Sequence, residues 1–146
     1  MTTQQETARV SAEDYAQVQQ FYAEHMQLLD AGSVDAWALT FTEDAVFDVP
    51  TLPAPMRGRE ALRESLRRTT EELAAAGVQR RHWHGMVAVF PQGDGTLRVR
   101  CYALVFSTPQ GQQPALHRVC VCEDVLVREE GRLLVRTRKV TRDDLP

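Results

Sequence analysis

The chain has 146 residues, 43% of them hydrophobic and 25% charged, and a net charge of -3. That length can bury a sizeable core in one domain, and the charge leaves no basic footprint for nucleic acid. The apolar runs are too short to cross a bilayer and the opening MTTQQETARV lacks a signal-peptide core, so a cytosolic protein is expected.

Residues 1–10 are polar and read as disordered, residues 11–142 as one domain, and residues 143–146 as a polar tail. Ser11 opens a helix, with Asp14 completing a weak capping box. Wound at about 100° per residue, Val18, Phe21, Tyr22, His25, Leu28 and Leu29 fall on one arc, so His25 faces the interior. Gly32 stops this helix, and Ser33 is placed to cap a short second one carrying Trp37 and Phe41. Residues 45–49 read as a strand closed by Pro50, and TLPAPMRG as a loop long enough to form a rim or lid. A third helix spans residues 59–76, with Leu62, Leu66 and Leu73 on one side and Gly77 at its end. Strands follow over 78–90, 97–107, 116–128 and 133–141, separated by PQGDG, TPQGQQP and EEG turns. The order α-α-β-α-β-β-β-β implies an α+β fold, a cone-shaped, curved antiparallel sheet capped by three helices, with a hollow between the layers.

Asp30 sits where the first helix runs out. The helix dipole disfavours an acid there, which points to a reason for its presence. In RRHWHGM, strand alternation puts His82, His84 and Met86 on one face and Arg81, Trp83 and Val87 on the other. Two imidazoles on one face can serve as acid and base near neutral pH. His25, alone on a buried helix face, reads first as a hydrogen-bonded core residue and second as catalytic. Asp48 interrupts an apolar strand end and either enters the hollow or bonds a loop. His117 opens a strand and is as readily exposed as inward. Tyr15, Tyr22 and Tyr102 can wall an aromatic ligand or simply fill the core. The Arg-rich last strand, RLLVRTRKVTR, reads as a solvated or interfacial face.

Cysteines at 101, 120 and 122 are odd in number and suit packing better than disulfides. With His84 or His117 added they lack C-x-x-C or H-x-x-x-H spacing, so no metal is expected. No nucleophile elbow, phosphate loop or dinucleotide fingerprint is present, and no cofactor is expected.

LLDAGSVDAWALTFTEDAVFD, GREAL, RHWHGM and CEDVLVREEGRLLVRTRKV together resemble the SnoaL-like branch of the nuclear-transport-factor-2-like superfamily, over about residues 11–142. The nearest likeness is to small proteins of actinomycete aromatic polyketide clusters, including the dehydratase type of actinorhodin-like pathways. Asp30 matches the helix-end Asp of scytalone dehydratase-like members, and His82 the His that begins their long strand and takes part in water elimination. Leu29 stands where scytalone dehydratase has a Tyr, and Met86 where an Asn is frequent. Its second catalytic His has no clear counterpart, leaving His84 or His117 as substitutes.

The resemblance implies a cofactor-free dehydratase or cyclase acting on a polycyclic aromatic polyketide. In that reading His82, oriented by Asp30, removes a proton alpha to a carbonyl. His84, a Tyr hydroxyl or His25 protonates oxygen. Tyr22, Met26, Trp37, Asp48, Met86, Tyr102 and His117 complete the substrate contacts. The superfamily also contains noncatalytic ligand-binding modules, such as dioxygenase β-subunits, and epoxide hydrolases, so fold alone does not choose a reaction. A homodimer through the open side of the sheet is expected, with no nucleic-acid or membrane partner.

Overall fold

The computed structural model describes residues 9–146. The expectation of disorder at residues 1–8 lies outside the described residues, while Val10 packs against the core. The elements in chain order are helix α1 (Ala12–Asp30), helix α2 (Val34–Ala38), strand β1 (Phe41–Asp48), strand β2 (Met56–Arg57), helix α3 (Arg59–Ala76), and strands β3 (Val78–Pro91), β4 (Leu97–Pro109), β5 (Ala115–Glu129) and β6 (Arg132–Arg142). They build a mixed α+β fold: three helices against a curved, unclosed six-stranded sheet of order β2-β1-β6-β5-β4-β3. No helix among the described residues is long and apolar enough to cross a membrane.

The long hairpins β3–β4–β5–β6 are antiparallel, as their Gly-containing turns dictate. The sheet is not antiparallel throughout, however, because β1 runs parallel to β6, with Phe41 opposite Val135 and Asp48 opposite Lys139. A parallel pair needs a long crossover, and here everything from β2 to β5 supplies it. The Pro-rich loop also holds the two-residue strand β2, paired with Val46 and Phe47. Phe41 belongs to β1 rather than α2, and Ser33 precedes α2 without a side-chain cap bond.

Helix α1 starts as its residues dictate, with Ser11 Oγ accepting from the Asp14 N–H at 3.0 Å. Its buried face is Val18, Tyr22, His25 and Met26. It ends in a Schellman turn: the Gly32 N–H bonds Leu29 O at 3.1 Å and the Ser33 N–H bonds Leu28 O at 3.0 Å. Gly32 carries the positive φ of 69° that this turn requires. A Cβ there would lie 2.7 Å from Thr70 Cγ2 of α3, so the missing side chain also lets the helices approach.

Period-two burial on β4 (Leu97, Val99, Cys101, Ala103, Val105) and on β5 (Cys120, Cys122, Asp124, Leu126) identifies the inward face of the sheet. Among the described residues, β1 shifts register against β6 between Phe41 and Val46, and three bulges break the alternation of the antiparallel strands. Met86 and Val87 together oppose Cys101, His117 is an extra residue between Arg118 and Leu116, and Arg136 is an extra residue between Val135 and Thr137.

Candidate active site

Between the helices and the inward face lies a cavity of about 520 Å³, within the usual range for small-molecule sites. Met26, Leu29, Trp37, Phe47, Leu62 and Leu66 give it apolar walls, and Val49, Pro50, Thr51 and Leu52 from the Pro-rich loop contribute to the lining, as expected of a rim. Asp30, His82 and His84 line it as well.

The Schellman turn places Asp30 at the last residue of α1, where its carboxylate reaches the first half of β3. Asp30 Oδ1 lies 2.6 Å from His82 Nδ1, and Oδ2 accepts the His82 backbone N–H at 3.0 Å. One carboxylate thus fixes both the strand and the ring. Gln79 Nε2 donates to the Asp30 carbonyl at 3.0 Å, tying the same helix end to β3 again. These bonds offset the dipole cost of an acid at a helix C-terminus. With Nδ1–H directed at Asp30, a neutral His82 ring carries its lone pair on Nε2, the arrangement of a general base.

His84, two residues on and facing the same way, has Nδ1 3.5 Å from Cys101 Sγ, and its ring centroid is 5.5 Å from that of Tyr22. Deeper in the fold, Asp124 and Arg138 form a buried ion pair. Arg138 Nε donates to Oδ1 at 2.9 Å and Nη2 to Oδ2 at 2.8 Å. Tyr22 OH donates to Oδ2 at 2.6 Å and Cys122 Sγ to Oδ1 at 3.3 Å. Burial opposes ionisation of Asp124, but the Arg138 charge and these hydrogen bonds prevail and hold its pKa below the ordinary carboxylate value. Burial and the adjacent Asp124 push the Tyr22 phenol well up. The neighbouring Cys122 and His84 bring the Cys101 thiol down to about 6.

The remaining expected site residues lie elsewhere. His25 is fully buried but does not line the cavity; it stacks between Phe21 and Trp37. Thr40 Oγ1 donates to Trp37 O at 2.6 Å, so at 2.7 Å it must accept the His25 Nδ1–H. This leaves His25 Nε2 buried with no partner among the described residues. Burial, reinforced by Arg138, keeps its pKa well below 6.5. Tyr22 likewise stands behind the cavity wall, engaged with Asp124. Met86, with φ 52°, is turned out by the bulge and is 78% exposed; Val87 takes the inward position instead. Tyr102 alternates with the inward Cys101 and Ala103 and is 48% exposed on the outer face. His117 is exposed at its bulge, its Nε2 3.5 Å from Arg80 Nη2, and Asp48, paired in register with Lys139, is off the lining.

Arg80, Arg118, Arg138 and Arg142 all reach the lining, so the last strand is not simply a solvated face. One sequence signal could have found the acid of the buried ion pair, though none singled out Arg138 as its cation. Asp124 continues the inward series Cys120, Cys122, and a buried acid needs a cation on the adjacent strand.

The SnoaL-like domain model matches residues 10–139. Among solved structures, ActVI-ORFA from Streptomyces coelicolor is 33% identical, with a TM-score of 0.85 over 93% of this chain and 99% of that one. Aln2 from a Streptomyces species is 33% identical, with a TM-score of 0.86 over 93% of this chain and 95% of that one. A Catenulispora acidiphila protein in complex with S-DNPA is 38% identical, with a TM-score of 0.81 over 92% of this chain and 96% of that one. No curated protein matches the chain. A family match over most of the chain, joined to the same fold at this level of identity, leads to one conclusion: the chain belongs to the SnoaL-like family, among relatives of the actinomycete polyketide cyclase and dehydratase type.

Proposed function

We propose that the protein is an acid–base dehydratase or cyclase acting on a polycyclic aromatic polyketide, with His82 as general base. The observation that carries this reading is the 2.6 Å His82–Asp30 contact on the wall of an apolar cavity. Asp30 holds the ring with Nε2 as acceptor and stabilises the imidazolium that forms when His82 takes a proton alpha to a carbonyl. His84 is the acid: it shares the cavity wall, whereas His25 and Tyr22 do not. It delivers a proton to the oxygen that leaves as water or is formed as a ring closes. Arginines along the lining favour the negative charge that deprotonation places on the carbonyl oxygen. A Catenulispora relative solved in complex with S-DNPA is in keeping with a small-molecule role.

Epoxide hydrolysis is less well supported. It needs a carboxylate free to activate water, but Asp124 already accepts four hydrogen bonds and Asp30 is engaged with His82. We also propose that two copies pair through the outer face of the sheet, where Trp83, Met86 and Tyr102 are exposed.

Turnover of tricyclic polyketide intermediates, followed by mass spectrometry, tests the assignment. His82→Ala is expected to lower kcat/KM by about 100- to 10,000-fold with the fold retained. Asp30→Asn should cost less, since it keeps the shape and loses the charge. Turnover at the parental rate in both variants would refute the base and its orienting carboxylate together.

A further inference from the structure

His84, Cys101 and Cys122 come together on the inward face although nothing in their spacing announces it. They occupy three adjacent strands, β3, β4 and β5. Cys101 and Cys122 are directly opposed, and His84 is opposite Ala103, two residues along β4 from Cys101. One ligand atom from each lies within 4.8 Å of the other two. We propose that these three side chains form a binding site for a single Zn²⁺ ion on the inner wall of the cavity.

The donor set chooses the ion. Two thiolates and an imidazole suit a borderline-soft cation and not Mg²⁺ or Ca²⁺, which take oxygen ligands. Zinc bonds of about 2.3 Å to sulfur and 2.0–2.1 Å to nitrogen set ligand-to-ligand edges of about 3.5–4 Å in a tetrahedron. The existing Nδ1 to Cys101 Sγ separation of 3.5 Å already matches one edge. The other two separations are no more than 4.8 Å, so about 1 Å of side-chain movement closes them. Deprotonating both thiols balances the charge of the dication, which makes burial of the ion tolerable. That step removes the Cys122 bond to Asp124 but leaves the carboxylate its two bonds from Arg138 and one from Tyr22.

The arrangement also leaves a position open. His84 and Cys122 line the cavity while Cys101 lies behind them, so the fourth coordination site faces the hollow, as in zinc sites that take water or a ligand oxygen. Asp30 and His82 bind each other and take no part, so the site does not depend on their acid–base role, although a zinc-bound His84 no longer serves as the acid.

The test uses the whole chain, reduced with a phosphine, titrated with Zn²⁺ against a chromophoric chelator and separately with Co²⁺. One equivalent of Zn²⁺ should bind with release of protons, and Co²⁺ should give a thiolate-to-metal charge-transfer band. Cys101→Ser, Cys122→Ser and His84→Gln should each weaken Zn²⁺ binding by at least about 100-fold. Cys120→Ser and His117→Gln should leave it unchanged. Circular dichroism identifies the variants that fold; should Cys122→Ser lose its structure, Cys101→Ser and His84→Gln decide the matter. Absence of stoichiometric binding, absence of the cobalt band, or binding that survives in the folded cluster variants would overturn the proposal.

Discussion

Arg138 is held from several sides at once. It is bonded twice to Asp124 and lies 5.5 and 5.7 Å from the ring centres of Phe41 and Phe47. Removing the cation strands Asp124, a buried carboxylate whose ionised form depends on it. Arg138→Met is therefore expected to cost about 3–5 kcal/mol in urea unfolding, and Arg138→Met with Asp124→Leu should recover much of the loss. Recovery is the informative arm, because it separates an uncompensated charge from lost packing. The His82–Asp30 pair was legible in the sequence, since an acid at a helix end is electrostatically out of place and a strand with alternate histidines advertises a face. Arg138 was not legible. It shares parity with the exposed Arg136, and only the bulge at Arg136 sends the two to opposite sides of the sheet.

At the level of elements, the same device accounts for two of the misplaced residues. Met86 and His117 each sit at a bulge, where simple alternation gives the wrong face or none. Helix boundaries were better marked, because a Ser cap, Gly32 and Gly77 act locally and leave their signature in the chain. The parallel pairing of β1 with β6 left no such mark, since register between segments distant in sequence is decided by what each must cover. The α1–α2 turn offers a direct test. Gly32→Ala forces an L-residue into a positive φ and drives its Cβ to 2.7 Å from Thr70 Cγ2, and should cost at least about 1–2 kcal/mol. Thr70→Ser removes that methyl group and should restore the steric part alone. Denaturation midpoints of the two single variants and the double variant measure the split.

The whole molecule should respond to mild acid through His25. Its native pKa is pushed well below 6.5, so from 6.5 downwards the unfolded chain takes up a proton that the native core refuses. This contribution is complete above pH 6.5 and is lost as pH falls, at about 1.4 kcal/mol per pH unit, until the native ring also titrates. Asp124 adds a loss in the same direction at lower pH, since its depressed native pKa stabilises the fold only while it is ionised. Urea midpoints of His25→Phe between pH 7 and pH 5 should accordingly be flatter than those of the parent. Light scattering at tens of micromolar should report two copies, and Trp83→Glu on the outer face should report one.

The parallel joint between β1 and β6 also bears on how the chain reaches its native state. Thr40 accepts the Val135 N–H at 2.9 Å, and Arg138 contacts the Phe41 and Phe47 rings, so the first strand of the sheet is held by the last. Such a closure carries a high loop entropy and slows folding. During synthesis α1 can meet β3 and α2 can meet α3, but β1 waits for its parallel partner until β6 has left the ribosome. The antiparallel strands in between can zip from their own turns, but β1 and its apolar face stay open until β6 arrives. A chain shortened from its C-terminus into β6 should thus lose cooperative unfolding altogether rather than forfeit one strand's share of stability, and its exposed β1 makes it a substrate for chaperones and proteases.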